Sequence, residues 1–425
     1  MQRDFSRPVS SLQEQSNLWF GQIHTGDLVQ TGLAPDSNWV QVCSRCIYDE
    51  RVGGITFSSQ GVCRYCEQVD ELTSLYGTGS AAGVKLLETK LDQIRREGKH
   101  REFDCVIGVS GGTDSSYLIR MAKEQWGLRP LAVHYDNTWN SGVAAQNIAN
   151  VLGRYGVPLY TYVVNHAAAD RIFRAFFYSG VAELEASTDL AFAYILRLVA
   201  RKQRIPYILE GHSFIAEGVS PLNNNYFDGQ YIRSILQHAE KIGAVGSEPA
   251  VMPENRYPLM TLTRFLRETL VGGSSFIRPL WFLDYDKQSA KEILASEAGW
   301  LDYGGHHLEN RMTAFYHTVY LPTKFGYDFR NNVLSASARL SAQNRRQAWS
   351  EYCRGPHVEP GLVDYFRGRL GLSQDEYDRV MSTPARSWPE FATYKRTFEW
   401  LRPLFWLLMK RERVTRSFYL KYCTP

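Results

Sequence analysis

Short apolar runs alternate with amphipathic stretches most clearly between residues 84 and 210. Val84–Glu97 carries apolar residues at helical spacing with i, i+4 charge pairs, which predicts a helix. Phe103–Val109 is a β-branched apolar run, the pattern of a strand buried on both faces. Tyr117–Trp126 returns to the helical period. Leu131–Tyr135, Leu159–Val164 and Pro206–Glu210 then read as strands, and Gly142–Tyr155, Ala167–Tyr178 and Ser187–Arg204 as helices. This βαβα order predicts an α/β fold, a doubly wound parallel sheet with right-handed crossovers. Such sheets bind ligands at the C-terminal ends of their strands, so Ser110–Ser116, His134–Asn137 and Gly211–Ser213 are the positions to weigh.

From Phe214 to Pro279 the periodicity weakens, with helices expected only at Tyr231–Ile242 and Leu262–Thr269. The polar, aromatic insert Glu217–Asp228 follows a ligand-facing strand end and predicts a substrate loop, with Glu217 a substrate-binding candidate. Arg256 and Arg278 suit a carboxylate or diphosphate, or the surface. Beyond Asn331 the pattern is helical, at Asp364–Leu370 and Gln374–Met381. Trp400–Met409 is too short to span a bilayer, and five basic residues against one acidic over Arg402–Arg416 suit peripheral contact with anionic lipid or a partner protein, or a helix packed on the core with a solvated basic end.

The strand Phe103–Val109 runs into Ser110-Gly111-Gly112-Thr113-Asp114-Ser115-Ser116 and a helix. Paired glycines let backbone N–H groups approach an anion, and the helix N-terminus adds partial positive charge. Hydroxyls of Ser110, Ser115 and Ser116 can donate to phosphate, while Asp114 suits Mg2+ or a helix cap. The pattern is neither GxxxxGK[ST] nor GxGxxG, which excludes the kinase-type and dinucleotide readings. His134 and Asp136 end the second strand, where a nucleotide pocket or a plain turn is expected. Gly211 and His212 end the fourth. In Gly299–Asp328, the turn Asp302–His307 feeds a helix and suits binding or proton transfer.

Of seven cysteines, four form Cys43-x2-Cys46 and Cys63-x2-Cys66, the spacing of a structural zinc ribbon, with an iron–sulfur cluster as the alternative. Ile55–Gly61 reads as the hairpin between them. A net charge of +4 neither demands nor excludes a polyanionic partner, and no nucleic acid is expected. Lacking an apolar leader, the 425-residue chain is expected to be cytoplasmic. Four segments are expected: an arm at 1–40, the ribbon at 41–80, a nucleotide domain at 81–290 and a mainly helical region at 291–425.

SGGxDS after a buried strand resembles the PP-loop ATPases, the adenine nucleotide α-hydrolase fold. The resemblance implies cleavage of ATP between the α and β phosphates, with a carbonyl oxygen adenylated and Ser110, Gly111, Gly112, Thr113, Asp114, Ser115 and Ser116 around the nucleotide. The order of a four-cysteine ribbon, VIGVSGGTDSSYL, PLAVHYDNTWNS and GWLDYGGHHLENRMTAFYHTVYLPTKFGYD resembles the bacterial N-acetyl sugar amidotransferases of lipopolysaccharide and sialic-acid-like sugar pathways. That implies an acetamido group of a nucleotide-linked sugar converted to acetamidino, with ATP, Mg2+ and structural Zn2+. It also implies ammonia from a separate glutaminase through a barrel-type channel subunit. Tyr303, Gly304, Gly305, His307 and Glu309 match the family, His306 stands where lysine is expected, and Arg311 and Lys324 are candidates for the diphosphate. His212 and His307 are the candidate bases. The rivals are a PP-loop tRNA thiolase and a non-catalytic zinc-ribbon adaptor.

Overall fold

The computed structural model describes residues 41–50, 52–219, 226–246, 257–271, 273–305 and 308–424. The expected arm at 1–40 lies outside them. The chain divides into two compact units that interleave along the sequence. A sheet unit takes Tyr76–Ser213, Tyr226–Arg311 and Arg386–Pro425, and a cysteine unit takes the described parts of Met1–Leu75, Phe214–Asn225 and Met312–Ala385. The four consecutive segments read from the sequence are therefore cut across. Residues 312–385 pack with the cysteines, and 386–425 return to the sheet unit.

The sheet has five parallel strands, β1 Cys105–Gly108, β2 Pro130–Asp136, β3 Leu159–Val163, β4 Tyr207–Leu209 and β5 Ser275–Ile277, in the order β3-β2-β1-β4-β5. β1 is central, with Val106 opposite both Leu131 and Ile208, and its first three residues are buried as a two-sided strand requires. β3 is an edge strand and leaves Leu159 and Val163 exposed. β5 was not visible in the sequence. Three residues are too few to show a period, and this strand exists because β4 offers it a ladder.

The expected helices form at Ala81–Gly98, Gly142–Tyr155, His166–Ser179, Ala186–Lys202, Gly229–Lys241 and Leu262–Leu270. Leu118, Ile119, Ile148, Leu152 and Trp300 close over Cys105 and Ile107 to make the core of this unit. The helix Arg402–Lys410 starts at Arg402-Pro403, the break in the apolar run, because proline tolerates only a first turn. Its Phe405 lies 6.0 Å from Phe265 and 5.3 Å from Phe398, so the segment packs on the sheet unit while Trp400 stays 80% exposed. No described helix is long and apolar enough to cross a membrane.

In the cysteine unit, Leu334, Ala338, Ala348, Trp349 and Tyr352 share one core with Cys43, Ile47, Tyr48 and Cys66. Phe315 stacks on Phe366 at 3.6 Å. The run Tyr316–Phe325 takes π-helical turns around Pro322, which has no N–H to give an ordinary ladder, and ends at Gly326 in the left-handed region.

Glu183 gives the sheet unit a pH-dependent stability. It is buried, accepts from the Tyr231 hydroxyl at 2.9 Å, and burial pushes its carboxyl up from 4.5 to about 7. The folded chain favours the proton more than the unfolded chain does. The contribution of Glu183 is therefore fully present below pH 4.5 and is lost as pH rises through about 7. Glu183→Gln keeps the acceptor and should flatten this slope, adding about 3 kcal/mol at pH 8 and little at pH 4 in urea titrations.

Candidate functional site

From the end of β1 the chain passes through Ser110-Gly111-Gly112 into the helix Thr113–Arg120. Gly111 has φ +84°, and a Cβ there would lie 2.5 Å from the Ala144 carbonyl oxygen, so only glycine fits. Its own carbonyl accepts from Trp300 Nε1 at 3.0 Å and Asn147 Nδ2 at 3.2 Å. Asn147 also exchanges bonds of 2.8 Å with the Leu301 backbone in both directions. Asn147 and Trp300 thus pin the turn from behind. Neither was a candidate from the sequence, although Trp300 lies in the Gly299–Asp328 stretch and Asn147 in the helical run Gly142–Tyr155.

The helix is entered through Gly112, which supplies no side-chain cap, so its first N–H groups are left for an anion. Ser110 Oγ accepts the Gly112 N–H at 3.3 Å and donates to Glu309 Oε1 at 3.3 Å. Ser115 Oγ donates to the Gly112 carbonyl at 3.4 Å, whereas Thr113 and Ser116 are buried. A Cβ on Gly112 would meet Ser110 Oγ at 3.1 Å, Glu309 Oε1 at 3.2 Å and the Tyr303 hydroxyl at 3.3 Å. Ser110, Tyr303 and Glu309 therefore converge on the loop. Burial, with the Glu309 and Asp114 carboxylates nearby, raises the Tyr303 phenol and keeps it a donor. Gly211 is the other contact, because a Cβ there would stand 3.0 Å from the Asp114 carbonyl and Ser115 N. The end of β4 is thus pressed against the first turn of the helix.

Asp114 accepts from the Tyr285 hydroxyl at 2.5 Å and pairs with Lys287 Nζ at 2.6 Å. With one oxygen taken by a phenol and the other by an ammonium, Asp114 as placed does not fit a Mg2+ ligand. The cation at the loop is Lys287, first residue of the helix Lys287–Ala298, which sequence reading missed because it lies 173 residues from its partner.

Glu309 reaches the loop because its segment is stitched to the turn after β2. Ser141 N donates to the Glu309 carbonyl at 2.8 Å, Arg311 N to the Trp139 carbonyl at 2.9 Å, and Asn310 Nδ2 to Asn137 and Asn140 at 2.9 and 3.0 Å. Thr138 in this turn has φ +65°, a strained value for a β-branched residue, and its N–H is held by Asp136 Oδ1 at 2.7 Å. His134 and Asp136, expected beside a nucleotide, hydrogen-bond within the fold, Asp136 through Oδ1. His134 Nδ1 donates to the Val109 carbonyl at 2.8 Å while Nε2 accepts from Asn140 at 3.1 Å, so it braces the residue before the loop.

His212 is exposed, one residue past Gly211, and its Nδ1 accepts from Trp281 Nε1 at 3.1 Å. Arg278 pairs with Glu210 at 2.7 Å at the ends of β5 and β4. Gly304 turns at φ +83° with its N–H on Asp302 at 3.0 Å, and Gly305 abuts the Leu308 side chain. Arg256, His306 and His307 lie outside the described residues. Glu217 and Lys324 belong to the cysteine unit. The Lys324 ammonium is held by the carbonyls of Val380 and Thr383 at 2.5 and 2.7 Å, where burial lowers it to about 8. It closes the end of the helix Gln374–Ser382 instead of standing open for a diphosphate.

The four cysteines are buried with their sulfurs all within 4.8 Å of one another, Cys43–Cys66 at 3.8 Å and Cys46–Cys63 at 3.7 Å. A tetrahedral ion with metal–sulfur bonds of about 2.3 Å sets its sulfurs about 3.8 Å apart, so the cluster can hold one such ion. Arg339 Nε donates to Cys66 Sγ at 3.2 Å, and Arg345 reaches the carbonyls of Cys46 and Cys43 at 3.0 and 2.6 Å. Two guanidiniums thus offset the negative charge of four thiolates.

Residues 309–404 match the family model described as LPS biosynthesis protein WbpG-like, C-terminal domain. The match starts at Glu309, the carboxylate on Ser110. An uncharacterized protein of Methanocaldococcus jannaschii is 29% identical over 175 residues, 40% of this chain, and the chain spans 58% of that relative's length. The chain also resembles the U34-tRNA thiolase NcsA of Methanococcus maripaludis, solved with its 4Fe-4S cluster, at 12% identity. That likeness covers 75% of this chain and 90% of the other at a TM-score of 0.26, too low to carry an argument.

Metal analysis of the purified chain should find one tetrahedral thiolate-bound ion per molecule. Cys63→Ser should lose it and lower the melting temperature of the cysteine unit, since four buried sulfurs without an ion have no other reason to converge. Stoichiometric inorganic sulfide with iron would contradict the single-ion geometry.

Proposed function

We propose that the chain is an ATP-dependent amidotransferase, forming AMP and pyrophosphate. It converts an acetamido group of a nucleotide-linked sugar to acetamidino in lipopolysaccharide O-antigen biosynthesis. The observation that carries this is the uncapped helix N-terminus behind Ser110-Gly111-Gly112, ringed by Ser110, Tyr303 and Glu309 with Lys287 beside it. It makes a pyrophosphate cradle without a Walker lysine. The surface-polysaccharide setting is supported by the family description of the segment that begins at Glu309.

In the proposed reaction the amide oxygen attacks the α-phosphorus of ATP and pyrophosphate leaves, while Glu309 takes the amide N–H proton. Ammonia then adds to the O-adenylated imidate carbon, the C–O bond breaks, and AMP departs, leaving the amidine. The loop N–H groups and Ser110 hydroxyl hold the departing pyrophosphate, Lys287 offsets its charge, and the Tyr303 phenol donates toward the same oxygens. Mg2+ arrives with the nucleotide. Ammonia comes from a separate glutaminase through a channel subunit, and the four cysteines hold a structural zinc.

A tRNA thiolase needs a reactive cysteine or cluster at the nucleotide. Among the described residues outside the quartet, Cys105 is buried in β1, Cys423 is buried, and Cys353 lies in the cysteine unit. Burial pushes the Cys105 and Cys423 thiols up, away from nucleophilic character. A cubane spaces its cysteine sulfurs more widely than the quartet does.

Purified protein with Mg2+-ATP, ammonium and a panel of diacetamido nucleotide sugars should yield equal AMP, pyrophosphate and a product in which one oxygen is replaced by NH, read by mass spectrometry. Ser110→Ala and Lys287→Met should each lower kcat/KM about 100-fold, about 3 kcal/mol, with melting unchanged in Ser110→Ala. AMP release that requires tRNA and a sulfur donor would sink the proposal, and use of glutamine by the chain alone would remove the partner.

A further inference from the structure

A cavity of about 230 Å³ lies inside the sheet unit, away from the loop itself. Its walls are apolar and rich in aromatic rings, with Phe265, Phe276, Phe398 and Phe418 among them. Three wall residues are helix N-caps. Asp228, Thr261 and Thr415 begin Gly229–Lys241, Leu262–Leu270 and Arg416–Cys423, so the positive ends of three helices meet at one space. The caps already satisfy the first turns, and by themselves they would mark only a well-made corner.

Arg197 gives the corner a purpose. It lines the cavity, is 7% exposed, and its guanidinium carbon lies 4.4 Å from the centre of the Phe276 ring. Its Nη1 has no hydrogen-bond partner, and Nη2 reaches only the Arg413 carbonyl at 3.5 Å. The carboxylates nearest in charge are committed elsewhere. Glu210 pairs with Arg278 at 2.7 Å, and Glu268 with Arg201 and Arg267 at 2.8 and 3.0 Å. Of the other acids in the wall, Asp228 accepts from Gln230 N, Tyr231 N, the Tyr226 hydroxyl and Tyr394 N, and Asp189 lies within electrostatic reach of Lys421. A buried guanidinium without its counter-charge is costly, and a fold retains one where something supplies the charge.

We propose that this cavity is a small-molecule site for a ring-sized organic carboxylate, its charge on Arg197 and its ring among the phenylalanines. The volume agrees, since a dry cavity of about 150 Å³ takes benzene. Glu210 is in the wall and the next residue, Gly211, touches the phosphate loop, so a ligand here lies one residue from the nucleotide site. The assignment holds whichever reaction the loop serves.

Calorimetry on the full chain with benzoate, its neutral isostere benzamide and phenyl phosphate tests it. Benzoate should bind at least 10-fold tighter than benzamide. Arg197→Met should abolish that difference, and Arg197→Lys should restore part of it. Ala193→Phe, one helical turn before Arg197, fills the cavity while keeping the guanidinium and should also remove benzoate binding, and it decides the matter if Arg197→Met fails to fold. Equal affinity for benzoate and benzamide overturns the site, as does full benzoate binding in Ala193→Phe. Phenyl phosphate binding tighter than benzoate overturns the carboxylate assignment. Benzoate binding lost in Ser110→Ala would move the ligand to the phosphate loop.

Discussion

Two hydrogen bonds to a single carbonyl, from Trp300 and Asn147 to Gly111, fix the conformation on which the candidate site depends. A left-handed glycine is free to turn either way, and without a fixed carbonyl the loop behind the helix Thr113–Arg120 would have no single shape. Pinned, it aims one face at the Ala144 carbonyl and leaves the helix N-terminus open on the other. Ser110, Tyr303, Glu309 and the Asp114–Lys287 pair are then arranged around a turn that cannot move away from them.

The same logic of charge meeting charge organises the cysteine unit. Four converging sulfurs concentrate negative charge when they hold an ion, and Arg339 and Arg345 approach from the segment 312–385. This segment, 300 residues downstream, shares a core with the cysteines through Trp349 and Tyr352. Much of the region matched by the LPS biosynthesis family model therefore packs with the cysteines, while its first residues carry Glu309 to the loop.

The chain's own pairing patterns decide which expected groups remain available for chemistry. His134 and Asp136 end the expected strand, where both ring nitrogens of His134 and Oδ1 of Asp136 are hydrogen-bonded within the fold, and Lys324 is engaged by carbonyls. Asp114, the residue most suited by type to a metal, is neutralised by an ammonium instead. Residue type marked where polar groups cluster, and partners set what each can do.

Periodicity and local chemistry determined much by themselves. The strand–helix alternation gave the parallel sheet because buried strands and amphipathic helices have different periods. SGGTDSS marked the turn from β1 into an uncapped helix N-terminus, and the two C-x2-C pairs a metal-sized cluster, because both are built from residues near in sequence. Tertiary structure alone decided the rest. β5 exists only because β4 lies beside it, Lys287 and Trp300 reach the loop across more than 170 residues, and Arg197 is left unpaired because Glu210 and Glu268 chose other partners. Such pairings depend on which side chains the packing brings within a few ångströms, and neither spacing nor composition encodes that distance.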